Sequence, residues 1–188
     1  MIKVAVRVSG MGYAIPGTVV AVGVMVPFAW LDNTLDSYAR ANWGFSTGLI
    51  LSGTAIALIF AYVVRFLAVS LQAIESGLGK IKHSMDDAAR SLGCSPAQSL
   101  YRVHIPLMKG SVLTALLIVF VDIMKELPAT LILRPFNFNT LAVRAFELAS
   151  DERLADASSA ALMIVVTGLV PVLMLSYSIT FSRAGANS

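Results

Sequence analysis

Long apolar runs separated by short charged stretches set the scale of this chain's elements. Residues 8–31, 41–64 and 157–182 carry no Asp, Glu, Lys or Arg, giving uncharged runs of 24, 24 and 26 residues. A helix crosses the hydrocarbon of a bilayer with about 20 apolar residues. A fourth run, 110–121, has 12 uncharged residues. It reaches spanning length only by continuing through Asp122, Lys125 and Glu126. Stretches such as GTVVAVGVMV and ALMIVVTGLV do not alternate apolar with polar residues, as a lipid-facing strand would. Helices also satisfy their own backbone groups where no water is present. The pattern therefore predicts an all-α integral membrane protein with spans at about 12–31, 44–70, 108–127 and 157–181.

Composition agrees with the pattern. Apolar types make up 57% of the 188 residues, charged types 13%, and the mean hydropathy is +0.78. Soluble domains carry about 25% charged residues, so a soluble globule, a disordered tail and a nucleic-acid-binding arm are all excluded. Cys94 is the single cysteine, which leaves no internal disulfide and no CxxC site. The basic start, Lys3 and Arg7, precedes an apolar run longer than a signal peptide's, and three more spans follow it, so the first helix is expected to remain in the mature protein. Two ladders of small residues, Gly44–Gly48–Ser52 and Gly53–Ala57–Ala61, have the spacing that brings membrane helices close.

The net charge of +3 tells less than where the charges fall. The segment 71–109 holds Lys80, Lys82, Arg90, Arg102 and Lys109, and the ends add Lys3, Arg7 and Arg183. With four spans these regions share one side, and basic loops face the cytoplasm. Both termini and loop 71–109 are therefore expected to be cytoplasmic.

That loop is too long for a plain connector. Ser84 is placed as an N-cap, Asp86 and Asp87 sit in a first turn, and Met85, Ala88, Ala89 and Leu92 share one helical face. Gly93 is placed to end this helix, Pro96 to open a second one, and Pro106 to mark the turn into the third span. The pattern alone is also that of an amphipathic helix pair lying on lipid.

The spacing adds more. DAARSLGCSPAQSLYRVHIP matches the signature loop of binding-protein-dependent ABC importer permeases: an acidic residue, two alanines, three residues, glycine, nine residues, then aliphatic, any residue, aliphatic, proline. These positions are Asp87, Ala88, Ala89, Gly93, Val103, Ile105 and Pro106, with Asp, Val and Ile where the family usually has Glu, Ile and Leu. The stretches KELPATLILRP, FELASDER and GYAIPGTVVAVGV resemble the second half of ferric-iron permeases. The resemblance implies a MetI-like permease fold and a coupling loop over 71–107. It also implies ferric iron delivered by a periplasmic binding protein, with thiamine, polyamine or another small substrate as the alternative cargo. The partners it implies are an ATP-binding subunit dimer, the binding protein, the lipid bilayer, and the remaining permease half or a second permease chain. Such permeases fuse two halves of about six spans each, so four spans resemble the C-terminal portion of a second half.

Chemistry is expected to reside elsewhere. The string GLGKI lacks the spacing and the Ser or Thr of a phosphate-binding loop, so ATP and Mg are expected on the partner ATPase and no cofactor on this chain. His83, His104 and Cys94 read as surface or packing residues. Asp122, Lys125 and Glu126 fall on one face at i, i+3 and i+4. They form either an internal ion-pair cluster with Lys125 snorkelling outward or the outer mouth of a translocation path. Glu147, Asp151, Glu152 and Arg153 either dock the binding protein or are solvated loop charges. A secondary transporter would instead carry repeated broken helices, and a simple anchor would not need charges inside the third span.

Overall fold

A computed structural model describes residue 10 and residues 12–184. Among these the secondary structure is helical. Helix α1 covers Gly17–Trp43, α2 Ala55–Leu78, α3 His83–Ser91 and α4 Pro96–Ser99. A π-helical segment, Leu100–His104, leads into α5, Ile105–Met124. The short α6, Pro128–Leu133, is followed by α7, Leu141–Ser150, and α8, Leu154–Ala184. Among the described residues, four helices are long and apolar enough to cross a membrane: Gly17–Trp43, Ala55–Leu78, Pro96–Met124 and the Leu154–Met174 part of α8.

The order of the elements is as expected, but the second span starts later. Residues 44–54, assigned by the sequence to the start of that span, form an irregular strap instead. Gly44, Gly48 and Gly53 adopt φ of 71°, 64° and 71°, a region open to glycine and closed to a regular helix. The Gly44–Gly48–Ser52 ladder is therefore not a helical face. Ala57 and Ala61 do lie on α2 and are fully buried.

Two carboxylates hold the strap against α1. Asp32, 1% exposed, accepts the amides of Ile50 (3.2 Å), Leu51 (3.0 Å) and Ser52 (2.7 Å) and the Ser52 hydroxyl (2.5 Å). One turn further along, Asp36 accepts from Ser46 Oγ (2.6 Å), Thr47 N (2.9 Å) and Gly48 N (3.3 Å), and it pairs with Arg40 at 2.7 Å. A buried carboxylate is tolerable only when it is so satisfied. Thr54 then caps α2, its hydroxyl accepting from Ile56 N.

The core lies where α1, α2 and α6 meet. It consists of Val20, Ala21 and Val24 against Ala57, Leu58 and Ala61, closed by Ala129 and Leu133. Small side chains let these helices approach, because association in lipid rests on close packing rather than on water exclusion. Helix α5 packs along α2, and α8 packs on α7 and α5. Gly77 is a point of close approach between α2 and α5, where an added Cβ would fall 2.5 Å from Ser111 Oγ.

The third span also differs from expectation. Pro106 makes no turn, because the chain is helical without interruption from Pro96 to Met124. The widened segment absorbs the proline: Ile105 N bonds to Leu100 O, five residues back. A proline crowds the carbonyl four residues earlier, and a π turn just before it relieves that crowding. The outer spans run longer than expected, with α1 continuing to Trp43 and α8 covering Leu154–Ala184.

Removing the Asp32 carboxylate should release the strap. Asp32→Ala leaves the part-buried donors of Ile50, Leu51 and Ser52 without their acceptor, at up to about 1–3 kcal/mol each. Thermal unfolding in detergent should show a large loss for Asp32→Ala and a smaller one for Asp36→Ala, whose side chain is 20% exposed. Equal, small losses would contradict the clamp.

Candidate functional site

Two clusters, one at each end of α5, hold most of the residues singled out by sequence, and the rest lie on α7 and the turn after it. The first is the α3–α4 loop. Helix α3 starts at His83, slightly before the expected cap, with Lys82 at the N-cap and no side-chain capping bond. Its end is as expected. Gly93 has φ 80°, Gly93 N bonds Arg90 O (2.9 Å), and Cys94 N bonds Ala89 O (3.0 Å). This pair of bonds is the Schellman arrangement that favours glycine. Helix α4 opens with Pro96 and a complete capping box: Gln98 N donates to Ser95 Oγ, and Ser95 N donates to Gln98 Oε1.

The expected apolar face of α3 is largely uncovered. Ala89 is its one buried residue. Met85 is half-open and Leu92 is 84% exposed. Asp87, Ala88 and Gly93 are exposed, Val103 is half-buried, and Ile105 and Pro106 are exposed on the continuous helix. The seven signature positions thus split between an open edge on α3 and the base of α5.

Neighbouring aspartates point to different surroundings. Asp87 is exposed. Asp86 accepts from His104 Nε2 at 2.6 Å and from Ser99 Oγ at 3.3 Å. The His104 hydrogen bond holds the Asp86 carboxyl below the usual carboxylate range. This contact therefore stabilises the loop above that range and is lost as pH falls through the lowered value.

The second cluster lies at the other end of α5. Asp122, Lys125 and Glu126 do not form one group. Lys125 pairs with Asp122 at 2.9 Å while its own side chain is 64% exposed. Asp122, 8% exposed, also accepts from Tyr13 Oη at 3.3 Å. Glu126, 7% exposed, faces Arg65 of α2 instead, with Arg65 Nε 3.2 Å from Glu126 Oε2. That contact is ionic, since Arg65 Nε has no aligned hydrogen bond. Glu126 Oε1 accepts from Ala129 N at 3.2 Å, and Arg65 Nη1 donates to Ile15 O at 3.0 Å. Tyr62 and Thr130 share a 2.5 Å hydrogen bond beside this pair.

Gly17 makes the pair possible. A Cβ there would fall 2.6 Å from Glu126 Oε1 and 2.9 Å from Arg65 Nη1. Sequence reading used Arg65 only to end an uncharged run. The signal was present, because a lone arginine inside an apolar helix needs a buried partner and Glu126 was a second charge within a span. Tyr13 and Asp86 gave no comparable sign.

Beyond α6, Glu147 on α7 is engaged locally. It pairs with Arg134 (3.0 Å) and lies 3.8 Å from Arg144, while Arg134 also donates to Asn139. Asp151 and Glu152 are exposed, and Arg153 pairs with Asp156 at 2.7 Å. Glu152 has φ 60°, with Glu152 N bonded to Ala149 O and Arg153 N to Leu148 O. Asp151, Glu152 and Arg153 therefore form the turn between α7 and α8 while Glu147 lies on α7, so the four positions are not one charged patch. Among the described residues, no three His, Cys, Asp or Glu side chains are grouped to hold a metal ion.

The glycine cradle gives a matched test. Gly17→Ala should cost roughly 1–3 kcal/mol by overpacking. Gly23→Ala in the same helix meets nothing within 4 Å and should be neutral or stabilise by about 0.5–1 kcal/mol. Unfolding temperatures of the two purified variants check this, and equal shifts would refute the close approach.

Comparison with known proteins places these features in a family. Residues 3–184 match the family described as binding-protein-dependent transport system inner membrane component. The chain is 30% identical over 122 residues to the Fe(3+)-transport system permease protein FbpB 2 of Haemophilus influenzae, covering 65% of this chain and 24% of that protein. It is 30% identical over 173 residues to the putative 2-aminoethylphosphonate transport system permease protein PhnV of Salmonella typhimurium, covering 92% and 58%. A ferric transport system permease protein, FbpB of Actinobacillus pleuropneumoniae, is 31% identical over 121 residues, covering 64% and 15%. The chain spans less than two thirds of the length of these curated relatives. With four apolar helices and a family match over nearly its whole length, it is a multi-pass membrane protein of the MetI-like permease family, the inner-membrane components of binding-protein-dependent transport systems.

Proposed function

We propose that this chain is membrane-spanning permease machinery of an ATP-driven importer, coupled through α3 and α4 to a separate ATP-binding subunit. The observation that carries this reading is the open edge of α3. Asp87 and Ala88 are exposed on a short helix locked at Gly93, in a chain whose family depends on a binding protein. Small Ala88 permits close approach of a partner, and Asp87 presents a carboxylate to a basic group. ATP and Mg belong to that partner. In this reading both termini and the α3–α4 loop are cytoplasmic. Asp122, Lys125 and Glu126 mark the outer end of the path, with open Lys125 nearest the cargo. The turn at Asp151–Arg153 and Glu147 on α7 face the binding protein. The remaining permease half or a second permease chain completes the path.

Ferric iron is the proposed cargo, supported by the FbpB relatives named for ferric transport. A second reading, 2-aminoethylphosphonate, is supported by the longer match to PhnV. Uptake of iron-55 against labelled 2-aminoethylphosphonate by the complete system separates them. Transport of the phosphonate without iron sinks the ferric assignment and leaves the importer class intact.

Two variants test coupling. Gly93→Leu forces a side chain into a left-handed conformation at about 1–2 kcal/mol, and Ala88→Trp blocks the open edge. Both should abolish ATP-driven uptake while the protein still reaches the membrane; normal uptake in both refutes the coupling role. Orientation is read by cysteine labelling in sealed cells on a Cys94→Ser background. Ser84→Cys should be protected and Asn42→Cys, exposed at the end of α1, should react, and the reverse pattern overturns the topology.

A further inference from the structure

Helix α3 has little to hold its angle. It buries one residue, Ala89, and joins α4 through the Gly93 turn. A helix so loosely packed would swing on its hinge when pushed, and the push would be spent on the swing. The structure supplies one further tie. Asp86 Oδ1 accepts from Ser99 Oγ at 3.3 Å and from His104 Nε2 at 2.6 Å, contacts that cross 13 and 18 residues of sequence. Ser99 is the last residue of α4 and His104 the last of the π segment. One carboxylate oxygen therefore grips both ends of the widened turn.

The location of that grip matters. The helix from Pro96 to Met124 is continuous, so a displacement of His104 moves α5 as a rod. From His104 to Asp122 the rod is about 27 Å long at 1.5 Å per residue. Its far end carries the Asp122–Lys125 pair and leads into Glu126. The π segment is the one place in this rod where the hydrogen-bond register is already altered, and such segments mark hinges in helices. A carboxylate bridging the hinge stiffens it. The adjacent aspartates thus divide two tasks, with Asp87 facing outward and Asp86 tying α3 to α5.

We infer that Asp86 and His104 form a strut that transmits displacement of α3 into α5, making both positioning residues for transport rather than contacts to ATP or cargo. The inference rests on the proposed coupling of α3 to an ATP-binding subunit. Losing a charge-assisted hydrogen bond of this kind corresponds to about a tenfold change or more in an equilibrium.

The test uses the complete transporter, with its ATP-binding subunits and binding protein, in proteoliposomes. The readout is cargo moved per ATP hydrolysed. Asp86→Ala and His104→Leu should assemble, hydrolyse ATP at near wild-type rates, and move about tenfold less cargo per ATP. Asp86→Glu should recover part of that ratio. Asp87→Ala should instead weaken assembly with the ATP-binding subunit. A wild-type ratio of cargo to ATP in both Asp86→Ala and His104→Leu overturns the strut. To guard against misfolding, Asp86→Cys with His104→Cys, on a Cys94→Ser background, is joined by a short cleavable dithiol-reactive linker. The linked complex should transport, and cleavage should lower cargo per ATP about tenfold. Equal ratios before and after cleavage also overturn it. If the wild-type complex hydrolyses ATP but moves no cargo, or does not bind the ATP-binding subunit, the proposed function fails instead.

Discussion

The Arg65–Glu126 ion pair is the constraint on which the rest of the helix arrangement depends. Two opposite charges are taken out of water at the crossing of α1, α2 and the α5–α6 junction. Either charge alone would be severely penalised there. Together they fix the chain around them: Arg65 also ties down the Ile15 carbonyl, and Glu126 accepts the Ala129 amide at the start of α6. Gly17 has no side chain because the pair occupies that space. The apolar contacts of Ala21, Ala57, Ala61 and Ala129 lie around the same crossing and require the same close approach.

Polar groups perform a second, similar task away from this crossing. Asp32 and Asp36 fold the strap 44–54 back along α1, and Asp86 folds α3 back onto the base of α5. In each case a carboxylate about one to three turns inside a helix accepts from a segment distant in sequence. Apolar surface gives little guidance to such segments in a membrane protein, because lipid competes equally for it. Hydrogen bonds of defined direction then set where the connecting segments lie.

These tasks explain what sequence reading captured and missed. Span number, helix type and the Gly93 and Pro96 boundaries were legible, because uncharged length and capping chemistry are local properties. The start of α2 was not: LILSGT is apolar enough to count as span, and its irregular path depends on Asp32, some 20 residues earlier. The expected turn at Pro106 failed for a related reason. A proline ordinarily breaks a helix, yet a π turn upstream accommodates it. At the charged face of α5, spacing correctly placed Asp122 beside Lys125. It could not show that Glu126 turns to a different helix, since i, i+4 geometry describes only neighbours on one helix. The signature loop was legible as spacing, while its anchoring through His104 was not.

The central claim is that Arg65 and Glu126 are one energetic unit. A double-mutant cycle on thermal unfolding of the purified chain in detergent tests this directly. Arg65→Leu and Glu126→Leu singly should each lose about 3–5 kcal/mol, because each strands a buried charge. The double variant should recover most of that loss. Additive losses in the double variant, or single losses no larger than those of exposed Lys125→Ala, would contradict the account.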